Sequence, residues 1–177
     1  GNLQEIERII DTHYYRHLAR TAERLPEQGR YFKTFLQLEL ELKNINLILR
    51  MKKAGYERGR IEDELLDIPG SLSTHDYAQL LEAQDYSAAV DVLKDMKVGE
   101  YIEDEDITHV ERALDRYKLR KGILMLHQSP LSINPILGYM ISKEAEVQNL
   151  RIILQAKRND LGSEFIQTNI IPQVRER

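Results

Sequence analysis

Cysteine and tryptophan are both absent from the 177 residues. Without thiols there is no disulfide framework, no thiolate metal site and no cysteine nucleophile. Glycine occurs nine times and proline five times, so chain reversals are few and the elements between them must be long. No apolar run reaches the ~20 residues that a helix needs to cross a bilayer, and no signal-peptide pattern opens the chain. An excess of charge of one sign is missing too. Lys and Arg number 25 against 29 Asp and Glu, a formal net charge of −4, and the signs are mixed along the chain. A binder of the phosphate backbone would show a basic stripe, so nucleic acid is not an expected partner.

What the chain does have is 42% apolar and 31% charged residues, enough for a core beneath large solvated helix faces. Apolar residues recur at helical spacing along most of the length. Ile6, Ile9, Ile10, Tyr14, Leu18 and Ala22 mark a first long helix, stopped by Pro26. Phe32, Phe35, Leu38, Leu42, Ile45 and Leu49 mark a second, with Gly55 as its C-terminal cap. A short helix follows over about 60–66, and Pro69-Gly70 makes a turn. Ser73 or Thr74, then Asp85 or Ser87, can cap two further short helices. The acidic run from Glu100 to Asp106 precedes a third long helix to about His127, whose positive N-terminal dipole it favours. Asn134-Pro135 reads as cap and first residue of a fourth, running to about Arg158. A last short helix carries Phe165 and Ile166 and ends before Pro172. Alternating strand patterns are absent. The expected fold class is all-α.

The order long, long, short occurs twice, and the residues agree. Glu41, Asn44, Ile48, Leu49 and Lys52 recur as Glu146, Asn149, Ile153, Leu154 and Lys157, each pair 105 positions apart. Glu39 matches Glu144 and Ile61 matches Ile166 at the same offset, while Glu7, Arg8 and Asp11 match Glu111, Arg112 and Asp115 at 104. A one-residue change of offset is what a loop insertion between helices produces. The expected organisation is a helical lobe over 1–69, connecting short helices over 70–106 and a related lobe over 107–177. Such duplication usually builds scaffolds.

Residues 130–161, PLSINPILGYMISKEAEVQNLRIILQAKRNDL, resemble the most recognisable block of the C/d-subunit family of A/V-type ATPases. Pro135, Gly138, Tyr139, Lys143, Glu144, Glu146, Asn149, Leu150, Arg151, Ile153 and Lys157 carry the likeness. The earlier block ELKNINLILRMK, Glu41 to Lys52, is similar to that family's repeat. Ala156 and Asp160 depart from it, since members often have glycine there. The resemblance implies three related lobes in a chain about twice this long, so an additional N-terminal lobe is expected beyond this sequence. It implies a non-catalytic coupling role between the central-stalk D and F subunits and the membrane rotor ring of proteolipid subunits. The transported ion would be H⁺ or Na⁺. The protein would be peripheral on the cytoplasmic side, held by the complex and soluble as an isolated fragment, with no nucleotide bound and no cofactor.

Chemistry-bearing patterns are few. His13 and His17 stand four apart, a metal-compatible spacing, but Tyr14 occupies the position where a metalloprotease helix carries its glutamate. Phosphate-cradling loops and nucleophile elbows are missing. No catalytic, cofactor or metal residues are expected. The polar groups bordering the duplicated apolar stripes, Glu41, Asn44, Arg50, Glu146, Asn149 and Arg151, are candidate partner contacts. Half-buried polar groups more often satisfy neighbouring backbone. A helical-repeat adaptor that binds a partner helix, unrelated to ATPases, is the rival reading, and a helical enzyme with a site between the lobes is a weaker third.

Overall fold

A computed structural model describes residues 3–66 and 74–171 of the chain. The described residues form helices and connecting turns, with no strand. In chain order they are α1 (Leu3–Arg24), α2 (Gly29–Lys53), α3 (Arg58–Glu64), α4 (Thr74–Glu82), α5 (Tyr86–Lys94), a 3-10 turn (Lys97–Tyr101), α6 (Ile107–His127), α7 (Asn134–Arg158) and α8 (Ser163–Asn169). The expected turn at Pro69-Gly70, the possible cap Ser73 and the stop at Pro172 lie outside the described residues.

Local chemistry explains several boundaries. Asp85 accepts a hydrogen bond from the Ala88 amide at 2.9 Å, and Asp106 accepts one from the Thr108 amide at 2.8 Å. Both fill the role of an N-cap carboxylate. Gly55 closes α2 with φ +78°, a left-handed conformation that only glycine adopts without cost. The start of α7 differs from expectation. Asn134 is the first helical residue and is buried, while Ile133 occupies the cap position without a side-chain bond. The amide of Ile133 donates to Gln28 Oε1 at 3.0 Å, and that of Asn134 donates to Ser132 Oγ at 3.1 Å. The start of α7 is thus satisfied by one distant and one local side chain.

Two antiparallel pairs of long helices, α1 with α2 and α6 with α7, make the framework. The second pair is drawn tight by glycine. A Cβ on Gly138 would sit 2.8 Å from the backbone nitrogen of Leu126, and one on Gly122 would meet Ile141 Cγ2 at 2.7 Å. The principal core lies between the pairs. Leu42, Ile45 and Leu49 of α2 meet Val90 and Leu93 of α5 and Val110 and Leu114 of α6 in one continuous cluster. The acidic run stands exposed before α6, as expected of a helix start, and Asp106 caps that helix. Its other carboxylates make surface ion pairs. Glu103 pairs with Arg116 at 3.1 Å, Asp104 with His109 at 2.5 Å and Glu105 with Lys94 at 2.7 Å.

Candidate partner interface

Several positions matched at the 104- and 105-residue offsets make matching contacts. The boundaries of α2 and α7 differ by 105 residues at both ends, as do those of α3 and α8. Asn44 Nδ2 donates to the Leu66 carbonyl, and its Oδ1 accepts from the Leu66 amide, both at 3.1 Å. Asn149 does the same 22 residues onward, donating to the Ile171 carbonyl at 2.9 Å and accepting from its amide at 2.7 Å. Each asparagine thus clamps the chain leaving the short helix onto its long neighbour. Arg8 lies 3.7 Å from Glu64 at the end of α3, and Arg112 bonds the side chain of Asn169 and the Thr168 carbonyl at the end of α8. Gly55 and Asp160, also 105 apart, both have positive φ, +78° and +52°. Asp160 therefore occupies the turn conformation for which glycine is the usual choice.

The six candidate contact residues separate by position. Glu41 and Asn44 are buried within α2. Arg50 is exposed and its Nε lies 2.5 Å from Glu111, tying α2 to α6. Glu146 is exposed and pairs with Lys143 at 2.5 Å. Asn149 is half-buried in its clamp, and Arg151 is exposed on the outer side of α7. The structure does not bring the six into one patch. Those of α2 face the core or α6, whereas on α7 Glu146 and Arg151 are exposed and Asn149 is held in its clamp.

Sequence pattern missed a residue that ties α6 to both α2 and α7. Lys118 lies 2.9 Å from Glu39 and 2.6 Å from Glu144, so the two duplicated glutamates converge on one lysine. Asp115 shares this pocket. Burial pulls the Lys118 ammonium down, but Glu39 and Glu144 outweigh it and hold it charged. Burial raises Glu39 despite Lys118 beside it. Asp115 rises to about 6, chiefly by burial. One cation among three carboxyls cannot neutralise them all, so the most desolvated of the acids resist ionisation. No periodicity could have found Lys118, because its counterpart 104 residues earlier is Tyr14.

The outer face of α7 carries Val147, Leu150 and Leu154 at 45%, 52% and 67% exposure. Their counterparts in α2, Leu42, Ile45 and Leu49, are buried. α1 shows a second such face in Ile6, Ile9, Ile10 and Tyr14. Contiguous exposed apolar surface of this kind marks an interaction surface.

An all-helical scaffold with clamped short helices and open helix faces is the class of protein these observations define. The ATP synthase (C/AC39) subunit family model matches residues 1–169, and the chain belongs to that family. The chain is similar to the C subunit of the A-type ATP synthase of Methanosarcina acetivorans, with 33% identity over 97% of this chain and 49% of the relative. It is 32% identical to the same subunit of Methanococcoides burtonii over 96% of the chain and 49% of the relative. For Pyrococcus furiosus the figures are 31%, 87% and 44%. The chain spans about half the length of these curated relatives. No solved structure matches it. Family membership sets aside the adaptor unrelated to ATPases.

Proposed function

We propose that the chain is part of a non-catalytic coupling subunit of an A-type rotary ATP synthase, linking the central stalk to the membrane ring. The observation that carries this reading is the family match over residues 1–169, with relatives named as the C subunit of A-type ATP synthases. A coupling part must transmit torque without deforming. The continuous core between helix pairs, the Lys118 bridge and the two asparagine clamps supply such stiffness. Close-packed interiors transmit strain. The partners are the D and F subunits of the central stalk and the proteolipid ring, and the ion is H⁺ or Na⁺. No described helix is long and apolar enough to cross a membrane, which accords with a peripheral part held at the cytoplasmic face by the complex. The role needs no cofactor or nucleotide.

The same reading takes the two halves as repeats of one lobe, supported by the common offset of helix boundaries and clamps. Glu146 and Arg151, exposed on α7, are the candidate residues best placed for a partner, while Glu41, Asn44, Arg50 and Asn149 hold the lobes themselves. Titration against a purified D/F pair, with the detergent-solubilised ring as second partner, tests the role. Saturable binding to either is expected. Failure with both, repeated with the full-length protein, would overturn it.

A further inference from the structure

A cleft of about 300 Å³ lies where α1, α2 and α7 come together. Tyr14 and Tyr15 of α1, Phe35 of α2 and Met140 of α7 help to wall it, and the buried side chains of Leu36 and Ile141 lie beneath. Its charged lining residues are Glu39 and Glu144, and among the described residues no cation lines it. The two carboxylates share one ammonium, Lys118, at 2.9 and 2.6 Å. A negative charge is therefore left over when both are ionised. Asp115, in the small adjoining pocket that Lys118 and Glu144 also line, adds to that charge. Lys43 is taken up by Asp11 at 3.1 Å. Its Nζ also stands 4.9 Å from the centre of the Tyr15 ring, so this corner already holds one cation over an aromatic face.

We propose that the cleft between α1, α2 and α7 binds a small organic ammonium ion, its alkyl groups against Tyr14, Tyr15 and Phe35 and its charge beside Glu39 and Glu144. Aromatic faces attract a cation through the negative side of their quadrupole. The apolar walls accept alkyl groups that an inorganic ion lacks. A metal ion needs several oxygen ligands converging on one point, and no group of three acidic or histidine side chains among the described residues offers that. An anion would meet two carboxylates, and a neutral ligand would leave their charge uncompensated. The volume suits a small molecule, whereas a peptide needs a longer groove. Once seated, the ion would tie α1 to α7 beside the Lys118 bridge. This site is independent of the coupling role proposed above.

Titration of the 177-residue chain with choline tests the proposal, at pH 8, above the raised Asp115 pKa of about 6. Sodium chloride holds the ionic strength constant. The Met140 methyl and the Tyr14 and Tyr15 ring resonances should shift saturably, with half-saturation at about 1–10 mM. The neutral isostere, with carbon in place of the ammonium nitrogen, should bind at least about tenfold more weakly. Glu144→Gln leaves Glu39 and Lys118 as a balanced pair and should weaken choline binding at least about tenfold. Tyr14→Leu keeps an apolar wall without its aromatic face and should weaken it about three- to tenfold. Both side chains are about half exposed, so helix content by circular dichroism should be unchanged, and Tyr14→Leu decides alone if Glu144→Gln loses it. Shifts that do not saturate by about 100 mM choline would overturn the proposal. Equal binding of the neutral isostere, or unchanged affinity in a folded variant, would do the same.

Discussion

At the residue scale, Asn44 and Asn149 make the same pair of hydrogen bonds in different surroundings. Asn44 is buried, so its removal strands the Leu66 amide and carbonyl away from water. Asn44→Ala should lower stability by about 2–4 kcal/mol, read from urea denaturation. Asn149 is half-buried and water can replace it, so Asn149→Ala should cost about 1 kcal/mol. Equal costs would show that burial does not set the difference. Asp160 offers a gain instead. Its φ of +52° strains a side chain at the position that matches Gly55 at the 105-residue offset. Asp160→Gly should stabilise by about 0.5–1 kcal/mol, a rise of a few degrees in Tm. The family's preference for glycine made this departure visible in sequence, and the backbone angle supplies its physical meaning.

At the element scale, α6 is held to its neighbours partly by a crowded set of carboxyls. Asp115 has its pKa raised to about 6, above the ordinary 3.8, mainly by burial. A raised acid binds its proton more tightly in the folded state. Its contribution is therefore most favourable at low pH, declines as pH rises from about 4 through 6, and is flat above. Asp115→Asn should raise stability at pH 7.5 by about 1–2 kcal/mol, allowing for partial exposure, and change it little near pH 4. Urea denaturation at the two pH values checks this, and an equal effect at both would contradict the assignment. The element boundaries themselves were largely legible in sequence. Caps Asp85 and Asp106 and the Gly55 stop act within a few residues of their own helix ends. The start of α7 was less so, because Gln28, 105 residues from Ile133, supplies an acceptor there beside the local Ser132 hydroxyl.

At the scale of the whole molecule, stability is unevenly spread. The α2 segment Leu40–Leu49 lies in the main core, whereas α8 has no fully buried residue and the second cluster is small. Hydrogen exchange should therefore release the amides of α8 at least about 100-fold faster than those of the middle of α2. Comparable protection in both segments would mean that α8 is stabilised by something other than apolar burial.

Helix period, turn residues and the repeated polar blocks were set by the sequence alone, since each acts over a few neighbouring residues or shows as identity at a fixed offset. They defined an all-helical chain and its family resemblance without any tertiary contact. Tertiary structure decided which stripes were covered. Leu42, Ile45 and Leu49 look much like Val147, Leu150 and Leu154, yet the first trio is buried and the second open. The difference lies in neighbours, α5 and α6 against the first trio and, among the described residues, none comparable against the second. Only folding could likewise bring Glu39 and Glu144 to one lysine, because a contact between distant residues leaves no period to read.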